Sequence, residues 1–311
     1  MNNKNKFLVY SFYRFIEVNN KKELKNKIDY YCKNKEIRGT ILISDEGINA
    51  TISGINKDLS KVINIIKKYL CIKKLDIKVN ISSFLPFNRM KIRLKKEIVT
   101  MGIKNLDLKK NKGKYLNPSE WNQYLNDDKV KIIDTRNDYE ISIGKFKNSI
   151  NVNTNSFREF PSKFTNINID KKDKILMYCT GGIRCEKASA FLRLNGYKDV
   201  YQLKGGILNY LNFEKDKKLN SMWSGECFVF DDRVTVNKNL SAGNYKQCYG
   251  CRRPLSKKDL LSKHYVKGIS CAKCFYERSE RQKNNSRNRQ FQIEKAEKDN
   301  LIHSFKKVRL K

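Results

Sequence analysis

Eight residues, Tyr178 through Cys185, constrain this chain more than any other stretch. They read Tyr-Cys-Thr-Gly-Gly-Ile-Arg-Cys. An apolar run precedes them at 175–178, and residues 186–194 follow, with Ala188, Phe191 and Leu192 on one helical face. The pattern predicts a tight turn from a strand into a helix, with Cys179 facing the helix N-terminus. Unpaired backbone N–H groups there stabilise an anion. Gly181 and Gly182 let several of those groups converge, and Arg184 adds a positive charge. Each effect lowers a thiol pKa, and the thiolate is the nucleophilic form. Cys179, Thr180, Gly181, Gly182, Ile183 and Arg184 therefore form a candidate active loop, suited to an anionic product such as a persulfide. Cys185 has two readings: a resolving thiol for an oxidised Cys179, or a residue packed inward from the first helical turn.

At 311 residues the chain has room for two or three domains. Residues 7–101 alternate in the order β-α-β-β-α-β. Strands are expected at 7–12, 39–43, 49–53 and 77–81, with a further one at 91–99, and amphipathic helices at 21–33 and 56–70. That order predicts a ferredoxin-like (acylphosphatase-like) sandwich. Residues 102–116 are polar and lysine-rich and read as a linker. Residues 117–220 alternate strands and helices, as an α/β domain with a parallel sheet does. Residues 221–275 form a Cys-rich module, and 276–311 a basic tail, either a helix on RNA or a disordered segment. The expected class is α/β and α+β multidomain.

The module carries two Cys-x-x-Cys pairs, Cys248 with Cys251 and Cys271 with Cys274. This is zinc-ribbon spacing, and the four thiolates are expected to complete a tetrahedral structural site without His264, the alternatives being four free thiols or two redox pairs. Cys32, Cys71 and Cys227 lie in apolar surroundings and are expected in the core. No run is long enough to span a membrane, and the basic start at 1–6 does not read as a signal peptide. A cytoplasmic protein with reduced thiols is the expectation.

Sixty-six basic residues against 32 acidic ones leave a net charge of +34. Part of this follows from a composition saturated with Lys, Asn and Ile, but the excess favours a polyanionic partner, RNA first. Two histidines, at 264 and 303, are too few and too poorly placed for a two-His-one-carboxylate iron site. No Gly-x-Gly-x-x-Gly follows a strand, and no Ser-His-Asp triad can be assembled. No catalytic cofactor is identifiable from the residues.

Several separated motifs resemble the rhodanese family. The run 130–136 ends in Asp134-Thr135-Arg136, similar to that family's strand ending in Asp-x-Arg, and Asp138-Tyr139-Glu140 is similar to its acidic turn. Residues 144–152 resemble its Gly-His-Ile-x-Gly stretch, with Lys145 in place of His and Asn148 in place of Gly. The loop 179–184 and the turn Leu203-Lys204-Gly205-Gly206-Ile207 complete the set. Residues 44–54, 157–161, 225–234 and the two Cys pairs extend the likeness to the bacterial rhodanese-containing tRNA uridine hydroxylases, over roughly residues 7–275. That resemblance implies oxygen-dependent formation of 5-hydroxyuridine at the wobble position of tRNA, with O2 as co-substrate. It implies the anticodon region as partner; no protein partner is predicted. It also implies Cys179 as the active-site residue, by analogy a persulfide carrier, with Asp134 and Arg136 supporting the loop. Two alternatives are a sulfurtransferase working through a Cys179 persulfide and an RNA-binding protein without catalysis.

Overall fold

The computed structural model describes residues 7–104, 106–217 and 222–299. The basic start, the 220/221 boundary and residues 300–311 of the tail lie outside them.

The first sheet is built from β1 (Phe7–Phe15), β2 (Arg38–Ser44), β3 (Gly47–Gly54), β4 (Ile77–Ser82) and β5 (Met90–Leu94), with helices α1 (Lys21–Cys32) and α2 (Asn56–Tyr69) between strands. The order β4-β1-β3-β2 is the ferredoxin-like one, and β5 adds a fifth strand parallel to β2. Period-two alternation explains the layering. Tyr10, Phe12, Ile41, Ile43, Ala50 and Ile52 share one core with Leu24, Ile28, Leu59, Val62 and Ile66 of the two helices. The intervening residues, among them Ser11, Tyr13, Thr51 and Lys78, turn to the opposite face. The strand expected at 91–99 stops at Leu94. Lys95 still donates its N–H to the Ile43 carbonyl at 2.9 Å. The chain then turns so that the Glu97 carboxylate accepts from the N–H groups of Met101 and Gly102, at 3.0 and 3.2 Å. Cys71, expected in the core, is exposed, because the chain reverses there with φ 52 just after α2.

The second domain runs through α3 (Leu108–Asn111), β6 (Lys114–Leu116), α4 (Pro118–Tyr124), β7 (Val130–Asp134), α5 (Asp138–Ile141), β8 (Gly144–Phe146), β9 (Ile150–Asn151), α6 (Phe160–Phe164), β10 (Lys174–Tyr178), α7 (Ile183–Leu194), β11 (Val200–Leu203) and α8 (Gly206–Lys217). Its sheet, β6-β11-β10-β7-β9, is parallel throughout. β6 falls inside the stretch read as a linker. It is a three-residue edge strand that buries only Leu116, so no apolar alternation marks it. Asn148 adopts φ 60, a left-handed conformation that Asn tolerates better than most residues. Lys145 occupies the exposed position of β8.

The remaining elements are short: β12 (Trp223–Gly225) against β8, β13 (Cys227–Phe228) with β14 (Thr235–Val236), β15 (Lys246–Gln247) with β16 (Pro254–Leu255), and α9 (Lys257–Leu260). The basic stretch forms α10 (Glu280–Lys298), which packs on the Cys-rich module. Arg289 donates to the carbonyls of Tyr249 and Gly268 at 3.1 and 2.8 Å, and Ser286 and Gln290 are buried.

Side chains from the first α7 turns lock the two larger domains together. Lys187 Nζ pairs with Glu46 at 2.8 Å and Glu97 at 2.7 Å, and Glu186 accepts from Tyr13 Oη at 2.8 Å. The Asp232 N–H reaches the Pro86 carbonyl at 2.8 Å, tying the segment after β13 to the first domain. No helix among the described residues is long and apolar enough to cross a membrane.

Candidate active site and metal centre

The carboxyl ends of parallel strands are where α/β sheets place their ligands. β7 and β10 are hydrogen-bonded neighbours that end side by side at Asp134 and Tyr178. Beyond them the chain forms the loop 179–182. Gly182 adopts φ 98 as the N-cap of α7, and its N–H donates to Cys179 Sγ at 3.1 Å. The Gly205–Gly206 turn supports the loop from below. Ile207 and Leu208 donate N–H groups to the carbonyls of Cys179 and Thr180 at 3.0 and 3.1 Å. A Cβ on Gly206 would sit 2.4 Å from the Cys179 carbonyl oxygen, so only glycine permits this approach.

Arg184 does not stand free beside the thiol. It grips Glu140 in a buried bidentate pair at 2.6 and 2.8 Å and reaches Thr180 Oγ1 at 3.4 Å. Glu140 also caps its own short helix by accepting the Asn137 N–H at 3.1 Å. Asp134 and Arg136 form a second buried pair beneath. Arg136 Nη1 and Nη2 donate to the carbonyls of Glu140 and Gly144 at 3.2 and 2.7 Å. This pair therefore fixes the acidic turn that carries Glu140.

Opposing effects act on Cys179. Complete burial raises its thiol pKa. The Cys185 thiol, the Arg184 charge and the N–H groups of Arg184 and Gly182 lower it, and they prevail, bringing it to about 5. Cys185 itself is buried, with Sγ 3.6 Å from Thr135 Oγ1, and burial and its neighbour push its thiol well up. It is placed as a donor to Cys179, packed inward. The arrangement can hold a thiolate nucleophile at neutral pH.

Cys179 opens onto a cavity of about 480 Å³. The loop is its floor, the free face of the first sheet (Ser11, Tyr13, Thr51, Lys78) is its roof, and Val229, Phe230, Asp231 and Arg233 form a wall. The volume suits a small organic ligand. Lys78 and Arg233 were not legible as site residues, because each lies far from the loop in sequence and is brought in by another domain or segment. Glu140 was visible only as part of an acidic turn.

The four cysteines of the two pairs converge, all sulfurs lying within 4.8 Å of one another. Sγ separations are 3.9 Å for Cys248–Cys274, 3.9 Å for Cys251–Cys271 and 3.8 Å for Cys271–Cys274. Tetrahedral thiolates about 2.3 Å from zinc would stand about 3.8 Å apart, so the four residues fit such an ion. The Cys271 N–H points at Cys274 Sγ at 3.4 Å. His264 is not in the cluster; it stacks on Phe275 with centroids 4.4 Å apart.

Residues 7–98 match the UPF0176 acylphosphatase-like domain family, and residues 117–212 the rhodanese-like domain family. Over the whole chain, a protein of Pelagibacter ubique described as tRNA uridine(34) hydroxylase is 46% identical across 302 residues, 97% of this chain and 99% of its own. Proteins of the same description from Acaryochloris marina and Teredinibacter turnerae are 44% and 41% identical, covering 96% of this chain and 96% and 92% of theirs.

Alkylation of Cys179 by iodoacetamide, followed by peptide mass spectrometry, should titrate with a midpoint near 5. Arg184→Lys, which breaks the bidentate grip, should move the midpoint upward. A wild-type midpoint at or above the ordinary thiol value of about 8.5 would contradict this account of the loop.

Proposed function

The chain belongs to the tRNA uridine(34) hydroxylase family, and from that membership we infer that it hydroxylates the wobble uridine of tRNA. The reading extends to a site and a product: 5-hydroxyuridine, formed in the cavity over Cys179. One observation carries it. A thiol held at about 5 lies on the floor of a cavity roofed by a second domain, so a base and a thiolate can meet out of bulk water.

The chemistry follows from the thiolate. Carbon 5 of uracil is a poor nucleophile until a nucleophile adds at carbon 6. Addition of Cys179 Sγ there breaks the C5–C6 double bond and moves its electron pair onto carbon 5 and the O4 oxygen. The oxygen atom then delivered to carbon 5 comes from dioxygen, the co-substrate that the resemblance implies; the O–O bond breaks, and the second oxygen leaves as water with two electrons and two protons supplied by an external two-electron donor, the role of the reducing extract in the test below. Loss of the C5 proton and departure of Cys179 restore the double bond. Gly182 and Arg184, which stabilise the thiolate at the start, stabilise it again as the leaving group. The wobble base must leave its stack to enter the cavity, which costs little for an unpaired base, and splayed single-stranded bases are the usual targets of RNA readers. The anticodon region is accordingly the part of the tRNA that docks, and the basic surface supplies the phosphate contacts. The cytoplasm, where thiols stay reduced, is the compartment that suits this site.

Cys248, Cys251, Cys271 and Cys274 are proposed to hold one structural zinc ion, which would staple the small module that α10 covers. Its contribution is to folding, with no part in the reaction.

Nucleoside mass spectrometry of a wobble-uridine tRNA incubated with enzyme, oxygen and a reducing extract should show a gain of one oxygen on uridine, and Cys179→Ser should abolish it. Unmodified uridine with wild-type enzyme, while the same extract supports a homologous hydroxylase, would refute the function. Elemental analysis should find about one zinc per chain. Cys274→Ser should lose the metal and lower the thermal midpoint, and metal-free protein with four freely titrating thiols would exclude the site.

A further inference from the structure

The chain contains two Asp-x-Arg clamps of matching geometry. In each, the aspartate accepts the arginine backbone N–H at 3.0 Å, its Nε at 2.9 Å and its Nη2 at 2.6 Å: Asp134 with Arg136, and Asp231 with Arg233. Their remaining nitrogens differ. Arg136 Nη1 ends on the Glu140 carbonyl. Arg233 Nη1 is buried and has no hydrogen-bond partner. A buried unpaired donor is costly, more so on a charged group, and native structures rarely keep one without a reason. Arg233 lines the cavity over Cys179. The Asp231 grip therefore holds the guanidinium of a cavity-lining residue in one orientation, with one of its nitrogens left without a partner.

A second cation reaches the same cavity from the other domain. Lys78, on the free face of β4, is half-buried, and its Nζ lies 5.2 Å from the Tyr13 ring centroid. No carboxylate pairs with it among the described residues, whereas Lys187, in the same interface, is held by two. Three cations from segments outside the rhodanese loop line the cavity; Lys95 is exposed to solvent, which leaves Lys78 and Arg233 as the two withdrawn from it.

We propose that Lys78 and Arg233 read the two carbonyl oxygens of the uracil seated beside Cys179. This rests on the hydroxylase reading of the site. Uracil carries carbonyl oxygens at carbons 2 and 4, on either side of the N3–H, and extruded bases are read by hydrogen bonds along that edge. Cytosine carries an amino donor at carbon 4, which would face a cationic donor and leave it unpaired. Sites built around such a hydrogen bond reject the analogue that lacks its partner. The pair therefore selects uracil over cytosine. Whichever cation meets O4 also receives the charge that addition at carbon 6 places there.

The test uses full-length protein and anticodon stem-loops carrying uridine, 2-thiouridine or 4-thiouridine at the wobble position, with affinity measured by competition. Sulfur is the poorer acceptor, so each thio substitution should weaken wild-type binding by about 10-fold. Arg233→Met should lose the penalty for one substitution and keep the other, and Lys78→Met should do the reverse. Arg233→Lys keeps the charge against Asp231 but removes the second guanidinium nitrogen, and should respond as Arg233→Met does even if that variant folds poorly. Wild-type binding indifferent to both sulfurs, or variants that keep both penalties, would overturn the assignment. Turnover of the uridine stem-loop by wild-type enzyme is scored separately. Its absence speaks against the hydroxylase reading, whereas turnover with a flat thio response removes only the roles of Lys78 and Arg233.

Discussion

Glu140 and Arg184 close on each other between the turn after β7 and the first turn of α7, with almost no exposure to solvent. Burial alone would raise the Glu140 carboxyl, yet Arg184, and then Arg136, hold it below the ordinary carboxylate range. A buried pair gains little net stability over an apolar replacement, but losing one partner costs about 3–5 kcal/mol. Its value here is geometric. It ties the active loop to the acidic turn, fixes Thr180, and sets a guanidinium near Cys179 while offsetting the cost of taking that charge out of water. The thiolate, the shape of the loop and the cavity above it all depend on this clasp. Beneath it, the Asp134–Arg136 pair holds the acidic turn through two backbone carbonyls.

The loop by itself is a general device for stabilising a sulfur anion. What distinguishes this molecule is the roof. The first domain turns the polar face of its sheet onto the loop, and residues of α7 next to the active loop weld the two: Glu186 through Tyr13, Lys187 through Glu46 and Glu97. The helix whose N-terminus stabilises the thiolate therefore also carries the domain interface. Val229, Phe230, Asp231 and Arg233 complete the enclosure from a third segment. Chemistry at Cys179 is coupled in this way to a surface contributed by another domain.

Features carried by contiguous residues were legible in the sequence. Cys179 and its glycines lie on one turn, the two Cys pairs have a spacing that admits few structures, and the first domain announces its helices and inner strands through periodicity. What escaped was carried by distance or by short, polar segments. β6 buries one side chain, so a lysine-rich stretch passed for a linker. Cys71 follows an apolar helix yet turns outward at a positive φ. Lys78 is one lysine among many, and only the fold brings it over Cys179. Arg233 had a signal that could have been used, since Asp231-x-Arg233 repeats the spacing of Asp134-x-Arg136. Its unpaired nitrogen needs coordinates to be seen.

The central claim is that the Cys179 thiolate engages the wobble base directly within this cavity. Replacing the wobble uridine of a stem-loop with 5-fluorouridine tests it, because fluorine at carbon 5 cannot leave as a proton does, so an adduct at carbon 6 persists. A stable protein–RNA adduct mapped by mass spectrometry to Cys179, absent with Cys179→Ser, is the expected result. Complete hydroxylation of the uridine stem-loop with no trappable adduct, and an additional sulfur on Cys179 in the purified enzyme, would contradict it and move the chemistry to a persulfide.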